Sequence, residues 1–154
     1  MTCISAFFSH KNISSIIVRY VLPPLIDGYS FWCKNNPVIA LTLRHNRIDN
    51  LAFTILHELG HIALHLKGNK EIRFMDLSKI EENEFENEAN LYAQESLIPS
   101  EYWNDLLENY LPLSDKEICD FANKYRIHPA IILERACFEM NYYGIKTTID
   151  KKLY

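Results

Sequence analysis

The chain has 154 residues, of which 48% are apolar and 23% charged, with a formal net charge of −4. Those values suit one domain long enough to bury a core, argue against disorder, and give no electrostatic case for binding nucleic acid. Four scattered cysteines, Cys3, Cys33, Cys119 and Cys137, form no CxxC pair, which excludes a disulfide framework or zinc knuckle and suits buried thiols in a reducing compartment.

The opening segment, Met1 to Ile26, is apolar but weakly patterned, and its class is left open. His10, Lys11, Asn12 and Arg19 interrupt it and Pro23-Pro24 ends it. No signal peptide and no membrane span are expected, and the cytoplasm is the expected compartment. From Gly28 to Arg44, GYSFWC and PVIALTLR are aromatic and β-branched runs around a turn-like Lys34-Asn35-Asn36, which predicts a hairpin. Asp49 is the expected N-cap of a mostly apolar, interior helix that runs to about Leu66 and stops at Lys67-Gly68-Asn69. After a polar stretch, a second helix is expected from about Glu84 to Ile98 and a third over Tyr102 to Asn109. SDKE, Ser114 to Glu117, is a capping box for a fourth helix to about Lys124, and Pro129 opens a fifth to about Asn141. The order, β-rich and then helical, predicts an α+β domain over residues 1–154, with its core at about 28–100 and a helical subregion at about 101–141.

The chemistry lies in FTILHELGHIALHL, Phe53 to Leu66. His57 and His61 are four residues apart, so on a helix their imidazoles leave the same face and can share one metal ion. Glu58 is rotated off that line and can lean towards a metal-bound water. This division suits hydrolysis: zinc lowers the pKa of its water to about 7 and polarises a carbonyl, while the carboxylate carries the proton to the leaving amine. Two histidines buried for packing alone would not need this spacing with a glutamate between them. Gly60, inside the helix, marks the close approach of another element.

A catalytic zinc takes three protein ligands and keeps a fourth position open. His65 continues the series but lies about 12 Å along the axis from His57 at 1.5 Å per residue, too far to share the ion, and is read as supporting a ligand. The longer HExxHxxGxxH pattern is absent, since position 67 is Lys. The second helix, IEENEFENEANLYAQESLIP, offers carboxylates. Ala89, Asn90, Ala93 and Leu97 form a stripe of mostly small or apolar residues, and Glu86 precedes it by one turn. Glu88 lies on another line, with Tyr92 and Glu95. Glu86 is therefore favoured as third ligand and Glu88 held in reserve, while Asn90 could accept a hydrogen bond from a ligand histidine.

HELGHIALH, followed by Glu86-Asn87-Glu88-Ala89-Asn90-Leu91-Tyr92-Ala93 and Leu97-Ile98-Pro99, resembles the ImmA/IrrE-type metallopeptidases. The flanks GYSFWCKNNPVIALTLRHNRIDNLAFTILHELGH and ANKYRIHPAIILERACFEM look like the metallopeptidase domain attached to some HigA-type antitoxins, so the resemblance runs from about Gly28 to the C-terminus. It implies a small gluzincin-like fold, with Zn²⁺ on His57, His61 and Glu86 and with Glu58 as general base. It also implies a protein substrate, a helix-turn-helix repressor or antitoxin, cut in a phage, mobile-element, toxin-antitoxin or stress circuit. The first 27 residues are too short for the DNA-binding domain of such antitoxins, which implies a stand-alone enzyme or a part separated from a DNA-binding partner.

Several residues stay open. Arg44 or Arg47 could hold a substrate carbonyl or an oxyanion, although an ion pair or a helix-entry role suits them at least as well; Tyr92 and Tyr102 compete for that role. The strand PVIALTLR could serve as the edge for an extended peptide, or simply as core. The helices joined by Tyr125-Arg126-Ile127-His128 have helix-turn-helix spacing, but PAIILERACFEM is too apolar to read bases and is expected to be structural. The sequence thus predicts a zinc metallopeptidase with no membrane and no direct nucleic-acid partner. Its rival is a non-catalytic metal-binding or docking module of a toxin-antitoxin or repressor complex.

Overall fold

The computed structural model describes residues 6–10, 13–17, 27–33, 36–43, 45–66, 79–141 and 143–153. Four strands, β1 (Ala6–His10), β2 (Ile13–Ile17), β3 (Gly28–Cys33) and β4 (Asn36–Leu41), form one mixed sheet in the order β1-β2-β4-β3. β1 and β2 pair antiparallel, as do β3 and β4, whereas β2 and β4 run parallel with Ser14 opposite Val38 and Ile17 opposite Leu41. The N-terminal segment left open by its weak pattern therefore supplies two strands. Lys34 and Asn35 of the expected turn lie outside the described residues, and Asn36 already belongs to β4, opposite Cys33.

β4 is one of two interior strands, and Pro37 to Leu41 are buried without alternation, as expected of a strand covered on both faces. Paired on both sides, β4 has no free edge, which corrects the expectation that PVIALTLR could receive a peptide. In the described sheet the edges are β1 and β3, and β3 is the one beside β4.

The helices follow: α1 (Ile48–Gly60), continued by a π-helical turn (His61–His65), then α2 (Lys79–Leu97), α3 (Ser100–Asn109), α4 (Asp115–Tyr125) and α5 (Pro129–Glu139). This is the α+β order read from the sequence. The N-cap of α1 is Arg47, not Asp49, which sits in the first turn with its carboxylate accepting from Arg47 and from the Asn50 N–H. The stop at Lys67-Gly68-Asn69 lies outside the described residues, and α2 begins five residues before the expected Glu84. At α4, Ser114 is the N-cap, but its hydroxyl donates to the Glu117 carboxylate instead of accepting from the helix backbone. Pro129 opens α5 in its first turn, with His128 Nδ1 accepting from the Ala130 N–H.

α1 lies between two partners. Leu51, Leu59, Ile62 and Leu66 pack on Trp32, Ile39 and Leu41 of the sheet, and the Trp32 indole N–H donates to the Leu66 carbonyl at 3.0 Å. The opposite side meets α2 at Gly60, where a Cβ would come within 3.2 Å of the Ala89 Cα and of Tyr92. Ala89 and Ala93 are fully buried there, so small residues on both helices let the backbones approach.

A second core gathers Ile98, Leu106, Ile118, Phe121, Ile132 and Leu133 from the end of α2 and from α3 to α5. Ile132, Leu133, Ala136 and Cys137 on the buried face of α5 belong to it, so the α4–α5 pair is structural. Cys137 is buried as expected, but Cys119 is exposed. Among the described residues no helix is long and apolar enough to cross a membrane.

Candidate metal centre

His57 and His61 project from one face of the helix towards α2, and Glu86 meets them from the first half of α2. His57 Nε2 and His61 Nε2 are 3.0 Å apart, and the Glu86 carboxylate oxygens lie 3.1 Å from His57 Nε2 and 3.2 Å from His61 Nε2. These separations are close to the ~3.3 Å edge of a tetrahedron with metal–ligand bonds of about 2.0–2.1 Å. His61 is buried, while the Glu86 side chain is 42% exposed, so the cluster opens towards solvent on the Glu86 side.

The partners behind each ring define its tautomer. Asn90 Oδ1 lies 2.9 Å from His57 Nδ1 and can only accept, so the proton sits on Nδ1 and Nε2 presents its lone pair. Behind His61, His65 Nδ1 lies 3.1 Å from His61 Nδ1, and the Glu88 carboxylate lies 2.9 Å from His65 Nε2. A carboxylate only accepts, so His65 carries its proton on Nε2 and accepts at Nδ1 from the His61 N–H. His61 Nε2 is left as a lone pair as well. Two imidazole lone pairs and a carboxylate thus converge with no donor between them, a donor set that fits a divalent cation such as zinc.

His65 stands one turn beyond His61 within the π-helical turn, which the Leu66 N–H closes on the His61 carbonyl at 3.0 Å. Glu88 therefore stands behind the cluster, bonded to His65, and does not face the other ligand atoms.

Charge follows burial and neighbours. Protonated at Nε2, either histidine donates to Glu86, and these contacts hold that carboxylate down to about 2. Burial works against a charge on His57, but Glu86 outweighs it and raises that histidine, whereas at His61 burial prevails and its pKa falls.

Glu58 lies on the β3 side of α1. A Cβ on Gly28 would come within 2.7 Å of its Oε1, so only glycine lets the strand approach this closely. The carboxyl is buried, and its pKa rises from 4.5 to about 7, chiefly through burial, with the Glu86 charge adding to it. The Ser30 hydroxyl and His57 oppose the rise. Ser30 Oγ, also buried, makes no hydrogen bond of ordinary geometry.

The remaining candidates stand elsewhere. Arg44 lies outside the described residues. Arg47 is bonded to Asp49 and Glu134, which makes it a helix-entry residue. Tyr92 packs against Gly60, and Tyr102 stacks on Tyr125 with ring centroids 4.1 Å apart. Neither Gly28 nor Ser30 was among the sequence candidates. The strand pattern of GYSFWC, which puts residues 28, 30 and 32 on one face, is the signal that could have found them.

Over 79 residues the chain is 28% identical to the protein named metallopeptidase ImmA from Bacillus subtilis (strain 168), covering 51% of this chain and 46% of that one. The chain thus spans less than half the length of that relative. The model of the IrrE N-terminal-like domain, a peptidase family, matches residues 16–136, from β2 through α5 and across both histidines, Glu58 and Glu86. With most of its length inside that match, the chain belongs to the family of IrrE N-terminal-like peptidase domains.

Proposed function

We propose that the protein is a zinc-dependent peptidase in which His57, His61 and Glu86 hold the cation and Glu58 is the general base. The observation that carries this reading is the convergence of two imidazole lone pairs and a carboxylate beside a buried glutamate. A zinc ion held there would polarise the scissile carbonyl and lower the pKa of a water to about 7. The chain's own residues do the rest. Glu58 takes the proton of the attacking water on its carboxylate. Buried between α1 and β3, it shields that proton from bulk water and then releases it to the departing amine nitrogen. Asn90, and His65 with Glu88, keep the Nε2 lone pairs of the two histidines aimed at one point.

The substrate is a protein that lies extended along the β3 edge, where Gly28 and Ser30 adjoin Glu58. The resemblance of the motif and its flanks makes a helix-turn-helix repressor or antitoxin the preferred substrate, cut once as a switch inside the cell. A docking module with a structural metal is the alternative, and Glu58 speaks against it: such a module gains nothing from a buried carboxyl beside the histidine pair.

The test combines metal analysis with cleavage. Wild type and Glu58→Gln should each purify with about one zinc per chain, and Glu86→Gln with much less. The zinc-loaded wild type should cut a candidate regulator encoded beside it, and Glu58→Gln should not. A metal-free wild type, or zinc undiminished in Glu86→Gln, would overturn the site. Cleavage that survives Glu58→Gln would remove the general base.

A further inference from the structure

A pocket of about 400 Å³ continues the groove between α1 and α2, and none of the chemistry above uses it. Its place follows from helical spacing. Asn50, Phe53, His57 and His61 follow one another at steps of three and four along one face of α1. Asn90, Gln94 and Leu97 extend the Glu86 line along α2, which runs antiparallel to α1, since His61 meets Glu86 and His57 meets Asn90.

The histidines occupy one end of this groove and the pocket the other. Asn90 belongs to both, since it holds the His57 ring and also lines the pocket. Phe53, another wall, has its ring 6.0 Å from that of His57. α5 closes the far side, with Ile131 in the wall and Phe138, 60% exposed, at the rim.

The lining also says what the pocket takes. Phe53, Leu97, Ile98, Ile131 and Phe138 make it largely apolar. Its charges are already matched: Arg47 bonds Asp49 and Glu134, and Arg135 bonds Glu139 and the Ile98 carbonyl. His45, also in the wall, lies 3.9 Å from Asp27, and among the described residues of the lining no unmatched arginine or carboxylate is left to select a charged group. The volume, near the lower end of the roughly 300–1,000 Å³ usual for small-molecule sites, accommodates an aromatic side chain.

We propose that this pocket is the specificity subsite for a large apolar side chain, of leucine, methionine or phenylalanine size, beside the scissile bond of the substrate. The proposal rests on the metallopeptidase reading, and its test separates the two.

N-acetylated amino-acid hydroxamates chelate a zinc site whether or not the protein turns over, so their side chains probe the pocket directly. Glycine, leucine, phenylalanine, aspartate and lysine hydroxamates would be titrated calorimetrically into the zinc-loaded full chain. The leucine and phenylalanine compounds should bind at least about tenfold more tightly than glycine, and the charged ones should show no such gain. Gln94→Trp, which fills the groove from α2, should abolish the gain, and Phe138→Ser, at the exposed rim, should reduce it. Zinc content reports that each variant is folded.

Equal affinities across the series, a preference for a charged side chain, or a gain that survives both substitutions would overturn the subsite while the metal site stands. Loss of the gain accompanied by dimerisation would assign the apolar rim to contact between two copies, which also overturns it. If no hydroxamate binds a zinc-loaded protein, glycine included, the open metal site itself is refuted and the subsite falls with it.

Discussion

A buried carboxylate is costly to ionise, and Glu58 pays that cost in the metal-free protein. Its pKa rises from 4.5 to about 7, with burial the main cause. The folded state therefore binds this proton more tightly than the unfolded chain does. Glu58 costs no stability below pH 4.5, destabilises progressively as the pH rises to about 7, and changes nothing further above that. In chelator-treated protein, Glu58→Gln should be roughly 2–3 kcal/mol more stable than wild type at pH 8 and indistinguishable from it at pH 4. Urea denaturation at the two values measures this, and equal stabilities at pH 8 would mean that the carboxylate is solvated. His65 and Glu88 call for a different test, since they act through the His61 ring. His65→Ala or Glu88→Gln should each weaken zinc binding about 10- to 100-fold, and the double variant should be little worse than either, because both break one chain of hydrogen bonds. Additive losses in a chelator competition would separate them. Zinc retained by Glu86→Gln but lost from Glu88→Gln would exchange the ligand assignments.

At the scale of elements, the site depends on how closely α1 and α2 approach. Gly60 faces the Ala89 Cα, a backbone atom of a helix that cannot yield locally, and Ala89 lies one turn after Glu86. Gly60→Ala gains about 1 kcal/mol of helix propensity but must push α2 outward by a few tenths of an ångström. Thermal stability should change little, while zinc affinity falls because Glu86 moves with α2. Unchanged affinity would show the contact to be compliant. The glycine, the stripe Ala89–Ala93 and the histidine pair were all legible in the sequence, because helical period alone brings those side chains to one face. Other features were not. β2 pairs with β4 across a gap in the chain, and no local pattern announces a parallel partner. The spacing of His65 already placed it behind a ligand, but the π turn has no residue signature, and the link from His65 to Glu88, 23 residues on, was invisible. Asp49 misled because an acidic residue near a helix start suggests a cap, whereas here its carboxylate answers Arg47 and a bond to the helix backbone one residue on.

For the whole molecule, the C-terminal tail joins parts that the sequence left unconnected. Residues 143–153 form no helix, yet Ile145 and Ile149 pack into the second core, and Thr147 and Thr148 bond the Asp115 carboxylate at the start of α4. The tail then reaches the start of α1, where the Ile48 N–H donates to the Lys151 carbonyl at 2.9 Å and Lys152 bridges Arg47. Four charges meet there, Arg47, Asp49, Glu134 and Lys151, so the first turn of α1 is tied at once to α5 and to the tail. Asp49 is the buried member, with a side chain only 1% exposed. Burial alone would raise its pKa, but the Arg47 hydrogen bond, the Asn50 N–H and the nearby cations together outweigh burial and lower it below 3.8. A lowered carboxylate contributes stability that is present above its unfolded pKa and is lost as the pH falls through the folded one. Asp49→Ala should therefore cost about 2–3 kcal/mol at neutral pH, since it removes charged hydrogen bonds from a buried position but leaves Arg47 its bond to Glu134. The gap between wild type and variant should stay level from pH 5 to pH 8 and narrow only below 3.8, the opposite trend to that of Glu58 and in a different window. Urea midpoints across that range decide the matter. No gap at pH 7, or a gap that widens as the pH falls below 3.8, would mean that the cluster does not anchor α1. The first turn of the helix that carries His57 would then be held by the tail's backbone bonds alone.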